Sequence, residues 1–290
     1  RVARSGAARR MVLAMAQEGD ALKAACDAAA RKIVEPVLVG DPQAIERVAT
    51  EEGLQIGGFR VVEASGEAEC AAKAVQLVRA GEADLLMKGR LSTASLMRAV
   101  LASDTGLKAS PVLSHVTIVE IGTYPKLLFM TDPGLNIAPD LATKISILRN
   151  AVGIANRFGV SRPKVAVIAA VEKVNPESMP ATVDAAVLAK MSDRGQIEGC
   201  LVDGPFALDN AVSAKSCEIK GIRTEVGGDA DILLMPDIEA ADVFYKTLAY
   251  LTDAKIAGLI TGARVPIVLT SRSDSDSTKY LSILAAVTIA

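Results

Sequence analysis

Histidine is nearly absent: His115 stands alone among 290 residues, so a multi-histidine metal site is excluded. Cys26, Cys70, Cys200 and Cys217 are widely spaced and form no CxxC pair. They read as buried free thiols of a cytoplasmic protein rather than as disulfides. The formal net charge of −2 lacks the basic excess of a general nucleic-acid-binding surface, so no nucleic-acid partner is expected. No apolar run approaches the roughly 18 residues of a membrane span, so no membrane partner is expected either. Two phosphate-loop signatures are also missing: there is no GxxxxGK[ST], and no GxGxxG follows a strand. What the chain does have is apolar material. Half of its residues are hydrophobic, enough at this length for two domains or one large α/β domain. Because it opens on Arg1, the chain is expected to start inside a longer one.

Strand-like and helix-like segments alternate along it. Ala8 to Ala30 has helical spacing and much alanine, which predicts a helix. Strands are expected over 35–40, 59–63 and 83–88, with helices over 42–53, 67–80 and 94–101. This rhythm implies parallel βαβ units. Residues 112–120 and 126–131, separated by Gly122 to Pro125, read as a hairpin within a mainly parallel sheet. A helix over 141–158 follows, then the clear strand 164–171, a helix over 182–193 and a strand over 199–203. Helices over 213–220, 240–251 and 253–261 and strands over 231–235 and 265–269 complete the pattern.

Polar groups gather where strands end, the place where open α/β sheets bind ligands. After the strand 265–269 come Thr270, Ser271, Arg272, Ser273, Asp274, Ser275 and Asp276, then a helix through Leu284. One arginine among hydroxyls suits a phosphate or other oxyanion, and Asp274 or Asp276 could act as a base. The alternative is that the Ser/Asp run only caps the helix. The turn Lys88 to Thr93 (KGRLST) offers Lys88, Arg90, Ser92 and Thr93 to a phosphate around a glycine; solvated cations are the plainer reading. TDPGLNIAPD (131–140) carries Asp132 and Asn136 and is a candidate crossing between domains. GPFALDNA (204–211) carries Asp209 and Asn210. All four could be loop caps through Asx turns. His115 reads as a hydrogen-bonded, partly buried residue.

Five ordered stretches, VLSHV, TDPGLNIAPD, VNPESMPATVDAAVLAKMSDRGQIEGCLVDGPFALDNAVS, GDADILLMPDIEAADVFYKTL and GARVPIVLTSRSDS, together resemble the phosphate acetyl/butyryltransferase family. The resemblance runs from about Glu35 to the end. It is nearest to phosphate butyryltransferases and to the transferase part of bifunctional enoyl-CoA hydratase/phosphate acetyltransferases, which implies a possible N-terminal hydratase domain upstream. It implies a two-domain α/β fold of mainly parallel sheets flanked by helices, like isocitrate and isopropylmalate dehydrogenases, with a cleft between domains and a homodimer. Mapped here, the first domain would be 1–134 with 255–290 and the second 135–254. The implied reaction is reversible transfer of an acetyl or butyryl group between coenzyme A and inorganic phosphate. Coenzyme A would enter as substrate, with no tightly bound cofactor and no metal.

That chemistry needs a base for the coenzyme A thiol, since the thiolate is the nucleophile, together with donors for a tetrahedral oxyanion and a cation for the leaving phosphate. The resemblance assigns Ser271 and Arg272 to catalysis directly. It leaves the base between Asp274 and Asp276, with Asp274 preferred, and gives Ser92 and Thr93 to the phosphoryl end of the substrate. Lys88, Asp132, Asn136, Asp209 and Asn210 complete the candidate binding set. Direct thiolate attack is expected over a covalent acyl-enzyme, because no Cys or Ser has an obvious His partner. The competing readings are an NAD-dependent dehydrogenase on the same fold and a non-catalytic domain that binds coenzyme A or phosphate.

Overall fold

The computed structural model describes residues 7–271 and 273–290. It separates into two units, Arg1–Pro111 with Ala257–Ala290, and Val112–Ile256. The division therefore falls near 111, not at 134, and the loop 131–140 lies inside the second unit rather than at a crossing. The physical reason is strand pairing: the expected hairpin exists, but its second strand pairs in parallel with a strand of the second unit.

In the first unit the chain forms β1 (Arg9–Ala14), α1 (Gly19–Ala30), β2 (Val34–Gly40), α2 (Pro42–Glu51), β3 (Arg60–Glu63), α3 (Gly66–Arg79), β4 (Leu85–Lys88) and α4 (Thr93–Val100). The second unit adds β5 (Ser114–Glu120), β6 (Leu128–Thr131), α5 (Leu141–Arg157), β7 (Lys164–Ile168), α6 (Ala181–Asp193), β8 (Leu201–Phe206), α7 (Leu208–Val212), α8 (Ala214–Lys220), β9 (Ile232–Leu234) and α9 (Ile238–Leu251). The chain ends with β10 (Lys255–Thr261), β11 (Ile267–Val268) and α10 (Asp276–Ile289).

The strands of the first unit lie in the order β3-β2-β1-β4-β11-β10. Every pairing is parallel except β10 with β11. The expected helix over 8–30 is thus a strand followed by a helix. Met11 to Ala14 are all fully buried between β2 and β4. A strand covered on both faces shows no alternation, so alanine-rich flanks made it read as helix. The expected helix over 253–261 is likewise β10, which pairs Leu259 with Val268 and Ile260 with Ile267. Its run of buried residues from Ile256 to Ile260 again carries no period.

In the second unit the order is β5-β6-β9-β7-β8, parallel except for the β5–β6 hairpin. Its core joins Val119, Leu128, Met130, Ala166, Phe206, Leu233 and Tyr245. Each unit is clasped at its amino edge by ion pairs. Arg10 at the start of β1 grips Asp84 before β4 at 2.6 Å. Lys126 meets Asp229 and Asp231, each at 2.8 Å, and Lys164 meets Asp229 at 2.8 Å. Among the described residues no helix is long and apolar enough to cross a membrane.

Candidate active site

Three neighbouring strands of the first unit bring the first group of candidates together. β1, β4 and β11 are adjacent and parallel, with Ala14 beside Lys88 and Met87 beside Val268. Their carboxyl ends therefore release three turns side by side: Met15–Ala16, Lys88–Ser92 and Leu269–Ser275. The middle turn hugs the first. Gly89 N–H donates to the Ala14 carbonyl and Arg90 N–H to the Met15 carbonyl, both at 2.9 Å. A Cβ on Gly89 would lie 2.3 Å from the Met15 carbonyl oxygen, so only glycine permits this approach. Lys88 ends β4 at 5% exposure, and its ammonium bonds the Gly89 and Leu91 carbonyls at 3.2 and 3.4 Å. Ser92 caps α4, accepting from Ser95 N–H at 3.1 Å, while its hydroxyl donates to Glu67 at 2.7 Å. Thr93, half-buried, opens that helix.

The β11–α10 turn is folded around Asp274. This carboxylate is 6% exposed and accepts the Ser271 N–H at 2.7 Å. Asp274 N–H in turn donates to the Ser271 carbonyl at 3.2 Å. Ser271 is exposed, with its hydroxyl 3.0 Å from that of Ser273. Arg272 lies outside the described residues. The capping reading is realised by Ser275, the N-cap of α10, which accepts the Thr278 N–H at 3.2 Å. Asp276 starts the helix and pairs with Lys23 at 2.5 Å. That hydrogen bond and the Ser277 N–H hold its carboxyl below the usual range, which makes it a weaker base.

The second group lies in the other unit, at the carboxyl ends of β6 and β8. Asp132, 4% exposed, accepts Gly134 N–H at 2.9 Å, Leu135 N–H at 3.0 Å and the Asn136 amide at 2.5 Å. Asn136 also donates to the Leu113 carbonyl at 2.9 Å. This is the Asx-turn reading realised. Asn210 is fully buried. Its amide donates to Ser216 at 3.1 Å, its side-chain oxygen accepts from Lys220 at 3.1 Å, and its carbonyl accepts Gly228 N–H at 2.7 Å. Asp209 pairs with Lys220 at 3.0 Å and accepts from the Ser216 hydroxyl; these two bonds hold its carboxyl below the usual range. Two strands, β9 and β7, separate β6 from β8.

His115, on β5, is 7% exposed and sits against the loop, since a Cβ on Gly134 would meet its Nδ1 at 2.8 Å. The thiols are poor nucleophiles: burial pushes Cys26 and Cys200 up to about 11 and raises Cys70 and Cys217 as well. Among the described residues no group of three His, Cys, Asp or Glu side chains is placed to hold a metal. Sequence reading passed over Lys279, buried on the first turns of α10. A lysine so close to the positive end of a helix was its one visible signal. Lys220 and Glu172, which tie down the Asp209 loop, carried no such mark.

Mainly parallel strands flanked by helices, with buried lysines and carboxylates beyond the strand ends, place the chain in the class of α/β proteins. Comparison with known proteins narrows that class. The family model described as phosphate acetyl/butaryl transferase matches residues 1–72 and 64–288. The chain is 46% identical over 282 residues to a phosphate butyryltransferase of Clostridium acetobutylicum, covering 97% of this chain and 93% of that one. It is 43% identical over 283 residues to a phosphate acetyltransferase of Thermotoga maritima, covering 97% and 96%. Among solved structures, a branched-chain phosphotransacylase from Enterococcus faecalis V583 aligns with a TM-score of 0.85 at 33% identity, over 97% of this chain and 98% of that one. The chain belongs to the phosphate acetyl/butyryltransferase family.

Proposed function

We propose that this chain is an acyltransferase that moves an acetyl or butyryl group reversibly between coenzyme A and inorganic phosphate. The observation that carries the reading is the pairing of β4 with β11, which sets the Lys88–Thr93 turn beside the turn folded on Asp274. In the direction of acyl-CoA synthesis, the Asp274 carboxylate takes the proton of the coenzyme A thiol as sulfur attacks the acyl carbonyl. A C–S bond forms, the tetrahedral oxyanion takes a hydrogen bond from Ser271, and its collapse breaks the C–O bond to phosphate, which leaves with the bonding pair. In this scheme Lys88, Ser92 and Thr93 border the phosphate, and the family resemblance assigns Arg272, which lies outside the described residues, to catalysis. The raised thiol pKa values support direct transfer over an acyl-cysteine. Coenzyme A is a substrate here, with no tightly bound cofactor or metal.

The test is thiol release from acetyl-CoA and butyryl-CoA on adding phosphate, with a chelator present. Phosphate-dependent release with either thioester is the expected result. No release, together with reduction of NAD at 340 nm in the presence of Mg²⁺, would overturn the reading in favour of a dehydrogenase. Binding of coenzyme A without turnover would favour a non-catalytic domain. The ratio of kcat/KM for the two thioesters assigns the acyl length.

A homodimer and a cytoplasmic setting are part of the proposal. The four free thiols fit a reducing compartment. Among the described residues, the most exposed large apolar side chains, Leu251, Ile219, Ile137 and Val243, all belong to the second unit. Light scattering gives the mass that tests the dimer.

A further inference from the structure

The scheme above leaves Lys279 unused. It is 2% exposed, and its ammonium donates to the Asp274 carbonyl at 2.6 Å. Its carboxylate neighbours stand farther off, Asp20 at 3.5 Å and Glu18 at 3.8 Å, both on or at the cap of α1. Asp276, on the same helix, is taken up by Lys23. Two physical costs attach to a lysine here: desolvation of the ammonium and its place in the first turns of a helix, near the positive end of the dipole. Packing alone would favour an apolar side chain of the same length.

What the ammonium does is close the turn from its far side. Asp274 grips Ser271 twice, through its carboxylate and its own N–H, and Lys279 fixes the carbonyl of that same Asp274. We infer that Lys279 is a positioning residue for acyl transfer, holding the Ser271–Asp274 turn in the geometry that aims the Asp274 carboxylate and the Ser271 hydroxyl at the reacting atoms. This inference rests on the acyl-transfer reading of that turn.

Lys279→Met, Lys279→Gln and Lys279→Arg are read together, each for kcat per folded molecule, KM for coenzyme A and amide exchange of the segment 269–276. In the Met and Gln proteins kcat is expected to fall about 10–100-fold, the effect of displacing a reacting group by less than an ångström or so. KM should stay within about threefold, because only the transition state needs the aim. Exchange of the segment should quicken in step, and arginine, which keeps charge and donors, should recover most of the loss. A folded variant with faster exchange and wild-type kcat would overturn the inference. So would a Met protein with wild-type kcat. If the wild-type chain itself releases no thiol on adding phosphate, the transfer reading fails instead, and the exchange data still report whether Lys279 holds the turn.

Discussion

Lys279 and Lys144 occupy equivalent places in different units, and their surroundings diverge. Each lies four residues after a helix N-cap, Ser275 for α10 and Asp140 for α5, and each helix leaves the carboxyl edge of a parallel sheet. Both are buried, at 2% and 5% exposure. Lys144 is neutralised at once by Asp184, at 2.6 Å. Lys279 instead spends its closest bond on a carbonyl and keeps its carboxylates at 3.5 Å or beyond. The same backbone position thus carries a closed ion pair in one unit and a less compensated charge in the other. A lysine bonded to a turn carbonyl can hold that turn in place; a closed pair between two helices holds the helices together. The polar loops follow suit, for Asp132 and Asn210 in the second unit are consumed by bonds to their own surroundings.

The largest effect should come from the turn that Lys279 underpins. Asp274→Asn should lower turnover by roughly 10²–10⁴-fold with little change in KM, the size of a general-base contribution. Asp276→Asn, which touches a surface pair and the start of a helix, should stay within a few-fold. Steady-state kinetics of both proteins check this, and the reverse ranking would move the base two residues along.

The next contrast is between two glycines. Gly89→Ala drives a Cβ to 2.3 Å from a backbone carbonyl, so a strand end must shift, at about 3 kcal/mol. Gly134→Ala meets a side chain, His115, rather than backbone, and should cost about 1 kcal/mol. Urea melts of the two variants separate these outcomes; equal costs would mean that the first-unit turn is more pliant than its hydrogen bonds suggest.

Lys144→Met should destabilise by about 2 kcal/mol, less than the roughly 3–5 kcal/mol for breaking a fully buried pair, because Asp184 is still partly exposed. Its turnover per folded molecule should match wild type. A kcat loss like that of Lys279→Met would erase the difference between the two lysines.

The smallest effect belongs to the amino edges, where the units agree. The Arg10 guanidinium holds the Asp84 carboxyl below its ordinary value of 3.8. A depressed carboxylate contributes stability that is full above the ordinary value and fades as pH falls through the lower folded one. The stability difference between wild type and Asp84→Asn should therefore be constant near neutrality, under about 1 kcal/mol for a pair this exposed, and should vanish in strong acid. Lys126 and Lys164 depress Asp229 in the same way, so acid should loosen both edges together. Melts of wild type and variant from neutral pH down to strong acid show whether it does.

Much of this was legible in the residues themselves. Most βα alternation, the β5–β6 hairpin and the Ser271–Asp274 turn follow from local chemistry: β-branched runs, glycine and proline punctuation, and Ser and Asp at helix starts. Family resemblance could be read from ordered motifs spread over most of the chain. The remainder depends on neighbours that sequence does not name. β1 and β10 read as helix in the sequence because a strand buried on both faces has no period to display. The hairpin joined the second unit because β6 pairs with β9, a partner about 100 residues later. Asp132 and Asp209 read as one set of candidates, yet strand order puts two strands between them. Lys279 looked like any helix lysine. Its burial, and its bond to the Asp274 carbonyl, exist only once α10 has packed on α1 and the turn after β11 has closed over it, since burial and charge balance belong to the assembled surroundings and not to the residue.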